Sequence, residues 1–322
     1  MPLTLPHQPA HSTRPLGIGG TDLGVILGLS PYKTALELWS ELISGEPSKS
    51  RDMLHLRFGQ HAESFIAREY ERCSQMFTVE HPATIFHSEH GFMFGHVDRF
   101  VLESPDTPAV VDGVITANRI LECKTASTFN KSDWGESGTD QVPPAYLVQC
   151  AWYMAMTGCS QADLAVLIGN SEFRVYCIKR DLELENLLLE HAKRFWFDHV
   201  LSHTPPAAIN VQDASLLFPK ELAGQSVEAS EDLIKCVQAY QDGCSRSQVL
   251  SEECERLKLK ILCFMGEAEK LTHAGKTLAT WKCAKPSQRI DTKALAAAHP
   301  AIASEFTTSV IGSRRFLLKD VP

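Results

Sequence analysis

The segment Arg119–Ala126, RILECKTA, constrains this chain more than any other stretch. Its apolar and β-branched residues read as a strand, and a strand sends alternate side chains to opposite faces. Ile120, Glu122 and Lys124 therefore share one face, while Leu121, Cys123 and Thr125 share the other. Burying a carboxylate and an ammonium in an apolar strand is costly unless they pair or hold a ligand. Upstream, GFMFGHVDRFVLE places Asp98 in a second strand-like apolar run. Acidic residues on adjacent strands beside a lysine suit phosphodiester hydrolysis. A divalent ion there activates water and neutralises developing charge, and an ammonium stabilises the transition state. E-x-K alone is also the pattern of an ordinary cross-strand ion pair.

The flanking sequence predicts a mixed α/β domain. A helix is expected after Gly20 with Thr21 as its N-cap, and a second over 35–44, capped by Thr34 and stopped by Gly45. A third, over 52–73, is expected to turn Phe58, Ala62, Phe65, Ile66 and Tyr70 inward. Strand-like runs cover 77–87 and 91–102, and 127–144 reads as a polar loop. Pro144 suits the first turn of a helix that Gly158 closes. Strands in ADLAVLIGN and EFRVYCIKR and a helix over 181–202 complete the domain. The expected division is a lead-in at 1–14, a mixed α/β domain at 15–204, a linker at 205–227 and a C-terminal region at 228–322. That last region reads as a long helical hairpin or arm over 228–271, then two strand-like pieces, KTLATWKC and RRFLLK, able to pair.

Composition narrows the function. The hydrophobic share is 44% and the charged share 22%, as in a globular protein. No apolar run is long enough for a membrane helix, and the N-terminus does not read as a signal peptide, so a cytoplasmic location is expected. Ten cysteines occur without one C-x-x-C pair, which disfavours zinc and iron–sulfur sites. The net charge of −8 is unusual for a partner of nucleic acid. It divides into −9 up to residue 204 and +1 beyond, and 276–319 holds 8 basic against 2 acidic residues. Phosphate binding depends on such local charge.

Other candidates accompany the E-x-K strand. Glu63 lies on the third helix, where a solvated carboxylate is the simpler reading. Tyr146 and Gln149 share a face of the helix that follows the strand, and Tyr153 extends that face as a packing residue. Six motifs then stand in order: RPLGIGGTD (Arg14–Asp22), LGLSPY (Leu27–Tyr32), GQHAE (Gly59–Glu63), GHVD (Gly95–Asp98), LECKT (Leu121–Thr125) and AYLVQ (Ala145–Gln149).

In this combination, over residues 14–200, the chain resembles the YqaJ-type viral recombinases. These are phage-type relatives of lambda exonuclease within the PD-(D/E)-x-K nuclease superfamily. The resemblance implies a restriction-endonuclease-like core, a mixed central sheet flanked by helices, with a C-terminal helical and β extension. It implies Asp98, Glu122 and the Cys123 backbone carbonyl as ligands of Mg2+, with Mn2+ able to substitute. Glu63 would serve a second metal or its water, Lys124 would orient the attacking water, and Gln149 and Tyr146 would support the site. Arg14 and Thr21 would receive a 5′-phosphate, a role that free N–H groups at a helix start favour. Gly17, Gly19 and Gly20 would let the backbone approach it. The expected substrate is an end of linear double-stranded DNA, digested 5′→3′ to leave 3′ overhangs. A single-strand annealing protein is the implied partner and a homo-oligomeric ring the implied assembly. An endonuclease or junction resolvase on the same core, or a catalytically inactive DNA-binding scaffold, are the alternatives. The 23 residues between Asp98 and Glu122 read as a hairpin insertion.

Overall fold

A computed structural model describes residues 16–45, 54–286, 290–308, 312 and 314–318. The contacts divide the chain into one compact unit ending at Leu217 and a second beginning at Phe218.

The first unit opens with helices α1 (Gly20–Ile26), α2 (Ala35–Ser44) and α3 (Leu54–Ser74). Four short strands follow, β1 (Phe77–Val79), β2 (Ile85–Phe86), β3 (Phe94–Gly95) and β4 (Arg99–Leu102), then the hairpin β5 (Val110–Val111) and β6 (Val114–Ile115). Next come β7 (Arg119–Ala126), α4 (Pro144–Thr157), β8 (Gln161–Ile168), β9 (Glu172–Lys179), α5 (Leu182–Arg194) and α6 (Val211–Leu217). The main sheet has the order β1-β4-β7-β8-β9. Only β7 and β8 run parallel, joined through α4, and the other neighbours are antiparallel. This is a mixed sheet flanked by helices.

The period-2 reading of β7 holds in three dimensions. Leu121 and Cys123 join Ala62, Ile66 and Tyr70 of α3 on one face. Ile120 lies in the larger core with Val148, Ala151 and Trp152 of α4 on the other. Thr34 caps α2 as expected, accepting the Glu37 N–H at 3.1 Å, and α4 runs from Pro144 to the left-handed Gly158.

Several elements differ from expectation. On α3, Phe58 and Phe65 are 50% and 46% exposed. Phe65 sits one residue, about 100°, off the buried stripe, and Phe58 precedes the buried stretch. The run 77–102 breaks into four strands rather than two, because Pro82 lacks a ladder donor and the backbone bends at Asp98. Asp98 thus stands just ahead of β4, not within a strand. Thr21 is not the N-cap of α1: Gly19 is, its N–H donating to Asp22 Oδ2 at 2.7 Å, and Thr21 falls in the first turn. The loop 127–144 contains a 3-10 turn, Thr128–Asp133, and is fastened to β9 where Gly138 N–H donates to Val175 O at 2.7 Å. The helix expected over 181–202 changes after Arg194 to a wider π-helical turn, Phe195–Leu201.

The stretch expected as a linker contributes α6 to the first unit. Asp213 is buried there, accepting from Thr34 Oγ1 at 2.8 Å and from the Ile209 N–H at 3.0 Å. The cap of α2 is thereby tied to a residue far along the chain.

In the second unit, α7 (Glu231–Met265) is one continuous helix rather than a hairpin. Strands β10 (Lys270–His273) and β11 (Lys276–Thr280) pair across the turn Ala274-Gly275, whose φ values are 48° and 77°. Among the described residues KTLATWKC does not pair with RRFLLK, of which 314–318 carry no strand. A two-residue turn closes far more cheaply than a loop of over thirty residues.

Replacing Asp213 by Ala should leave Thr34 Oγ1 and the Ile209 N–H without their buried acceptor. Urea denaturation should then show a loss of about 1–3 kcal/mol; an unchanged midpoint would mean that α6 is not fastened this way.

Candidate functional site

Strand pairing brings the acidic motifs together. Arg99 of β4 lies opposite Leu121 of β7, so Asp98, one residue earlier, arrives opposite Glu122. The Asp98 carboxylate accepts the Cys123 N–H at 2.7 Å. The hairpin β5–β6, with Asp112 and Gly113 in its turn, absorbs the intervening chain as a side excursion.

Glu122 is 2% exposed. Its Oε1 accepts from Lys124 Nζ at 2.6 Å and from Gln149 Nε2 at 2.7 Å, while Oε2 is buried with no hydrogen-bond partner. Gln149 also donates to Tyr153 Oη at 3.0 Å. The Lys124 ammonium stands 5.2 Å from the centre of the Tyr146 ring, which stacks on buried Trp134. Tyr153, read from sequence as packing, is both buried and part of this network.

The electrostatics follow from burial. Desolvation, then the charge of Glu122, pushes Asp98 well above the usual carboxylate range; Lys124 and the Cys123 N–H pull the other way. Burial likewise raises Glu122 against the pull of Lys124. For Lys124 burial opposes the charge, but Glu122 and Asp98 outweigh it, so the ammonium is held more firmly than in water.

Glu63 has a partner that the sequence did not suggest. Arg99, buried at the start of β4, binds Glu63, reaches Glu80 at 2.9 Å and donates to the Asp98 carbonyl. The only sequence signal was an arginine directly after Asp98 in an apolar run. Thr21 lies exposed on α1, while Arg14 falls outside the described residues.

The glycines of the first motif are closely packed by the protein itself on the side where a Cβ would stand. A Cβ on Gly17 would lie 2.2 Å from the Phe92 carbonyl oxygen, one on Gly19 3.2 Å from the Phe94 ring, and one on Gly20 2.6 Å from the Tyr153 ring. Gly95, from the GHVD motif, meets the same Tyr153 ring at 2.9 Å. These glycines admit protein side chains and backbone.

Among the described residues no three His, Cys, Asp or Glu side chains group into a metal cage. Magnesium does not need one: it takes one or two carboxylates and keeps several waters. Asp98 and Glu122, the latter with a buried oxygen lacking any donor, are a donor pair of that kind. The Cys123 carbonyl is the backbone acceptor between Glu122 and Lys124 in sequence.

Residues 11–160 match the YqaJ-like viral recombinase domain. The chain is 30% identical over 311 residues to the uncharacterized protein YqaJ of Bacillus subtilis (strain 168), covering 95% of this chain and 92% of that one. It belongs to the YqaJ-like viral recombinase family. Among solved structures, an alkaline exonuclease from Laribacter hongkongensis is 16% identical with a TM-score of 0.45, covering 58% of this chain and 89% of that one. A phage-related exonuclease from Haemophilus somnus 129PT is 14% identical with a TM-score of 0.43, covering 58% and 96%.

The raised carboxyl of Asp98 has a consequence for stability. Its folded value exceeds its unfolded one, so the native state holds the proton between the two, and stability falls as pH rises through that interval. Neutral pH lies above the unfolded value, so the penalty is felt there. Asp98→Asn removes it and keeps an acceptor for the Cys123 N–H. In a metal chelator the variant should resist more urea than the parent at pH 7. The difference should shrink as pH falls and vanish below about pH 3, where the carboxyl is protonated in both states.

Proposed function

We propose that this chain is a magnesium-dependent deoxyribonuclease that digests linear double-stranded DNA in the 5′→3′ direction. One observation supports this reading above the others: Asp98, Glu122 and Lys124 converge, and one buried oxygen of Glu122 lacks a donor.

Asp98, Glu122 and the Cys123 carbonyl would hold the ion, with manganese an acceptable substitute. When bound, the ion lowers the pKa of an attacking water and offsets charge on the phosphate. The protein's own groups do the rest. Gln149 fixes the Glu122 carboxylate through Oε1 and is itself held by Tyr153, leaving Oε2 to face the cation. Lys124 keeps its proton beside two carboxylates, so it orients the water and stabilises the pentacoordinate phosphate as a fixed positive charge. Tyr146 backs the ammonium. Glu63, tied to Arg99, steadies the Asp98 segment in this arrangement and would help hold a second ion or its water.

Arg14 and Thr21 are assigned to the 5′-phosphate of the digested strand. The 3′-tailed product is a substrate for a single-strand annealing protein, and a homo-oligomeric ring would keep the enzyme on its DNA. None of the described helices is long and apolar enough to cross a membrane.

Linear duplexes labelled at either end should lose nucleotides from the 5′ ends with magnesium and none with a chelator. Lys124→Ala and Glu122→Gln should each abolish this hydrolysis, by roughly 10² or more, with native circular dichroism. Undiminished cleavage by either variant would refute the site, and cutting of closed circular DNA would identify an endonuclease instead. In a separate comparison, Arg14→Ala should slow digestion of 5′-phosphorylated ends more than that of 5′-hydroxyl ends. Equal slowing would remove Arg14 from the anchor.

A further inference from the structure

The carboxyl ends of the parallel strands β7 and β8 are the usual place for a ligand on an α/β sheet. Directly after β7 the chain makes its 3-10 turn, Thr128–Asp133, and at the start of that turn Phe129 is 92% exposed. Single apolar side chains on a surface are common, but this one sits on a turn whose backbone is braced by several contacts. Ser127 Oγ accepts the Phe129 N–H at 3.3 Å, and Ser127 O accepts the Asn130 N–H at 3.0 Å. Below the turn, Gly169 N–H donates to Ala126 O at 2.8 Å, and the Thr128 methyl occupies the space that a Cβ at residue 169 would need. Lys131 is paired with Glu172 at 2.7 Å. The turn ends at Trp134, buried and stacked on Tyr146, the same ring that backs Lys124.

The surroundings of the ring indicate what it meets. Its chain neighbours Thr128, Asn130, Lys131 and Ser132 are all exposed and polar, unlike the continuous apolar run that marks a protein or membrane interface. A lone, exposed aromatic face on a braced turn, framed by polar groups, suits a planar ligand that brings its own charged backbone. Nucleic-acid bases stack on such rings whatever their sequence. Two residues, Thr125 and Ala126, lie between Lys124 and Ser127, so three strand steps cover about 10 Å of chain. At about 3.4 Å per nucleotide, that is a reach of about three nucleotides from a phosphate at Lys124.

We propose that Phe129 is a base-stacking residue, which holds an unpaired base of the DNA strand within a few nucleotides of the phosphate at the Glu122–Lys124 site. This rests on the nuclease reading and adds a residue that recognises single-stranded character beside the cut. It requires no hydrolysis, so it can be tested apart from activity.

The full-length protein would be bound, in a chelator, to a linear duplex with a short single-stranded overhang. 5-Iodouracil would be placed at successive positions near the end, and peptides would be mapped by mass spectrometry after irradiation. A cross-link at Phe129 from one or two positions is expected. It should be retained by Phe129→Tyr and lost in Phe129→Leu, which should also bind the overhang roughly tenfold more weakly. Tight binding with cross-links only elsewhere, or equal binding by Phe129→Leu, would overturn the stacking role and leave the nuclease reading standing. If the parent bound no DNA end at all, both would fall.

Discussion

Glu122 and Lys124 form an ion pair on the α4 side of β7, and the rest of the site is arranged around the cost of keeping it there. Neither charge has much water, and a buried pair that loses one member leaves an uncompensated charge. The structure answers with a third group, Gln149, which donates to the same carboxylate oxygen that Lys124 uses. Tyr153 then accepts from Gln149, and Tyr146 lies beside the ammonium. Stability alone would have been served by donors to both carboxylate oxygens. The site instead loads both donors on Oε1 and leaves Oε2 bare. That asymmetry distinguishes this pair from an ordinary structural salt bridge, and a cation is the partner it suits best.

A second constraint comes from Asp98. It enters from a bend rather than from within a strand and is fixed by the N–H of Cys123, the residue between Glu122 and Lys124. Arg99, the next residue, holds the Asp98 carbonyl and ties in Glu63 from α3. Backbone of β4, helix α3 on one face and helix α4 on the other are therefore coupled through a few side chains.

Much of this was legible in the sequence because it depends on short-range rules. The alternation in RILECKTA assigned Glu122 and Lys124 to one face, the spacing of Gln149 put it on the following helix, and Thr34, Pro144 and Gly158 marked helix ends correctly. What escaped depended on distant partners. Nothing near Glu63 announces Arg99, which lies 36 residues away. Asp213, in a stretch that reads as a linker, has its long-range partner in Thr34, 179 residues away. Thr21 has a side chain suited to a cap, but the Gly19–Asp22 contact sets the helix start. Strand pairing at the C-terminal end failed for a related reason: hydrophobic pattern shows which segments can be strands, not which neighbour is cheapest to reach.

The ring of Tyr153 sits where both Gly20 and Gly95 would otherwise carry a methyl group. Two glycine-containing motifs that look independent along the chain are thus one mould, cast around a single aromatic on α4. Changes at positions 20, 95 and 153 should therefore travel together among relatives, because a bulkier residue in either glycine position demands a smaller one in the third. The same ring steadies Gln149, so a family that altered the mould would be adjusting the grip on Glu122 from a distance.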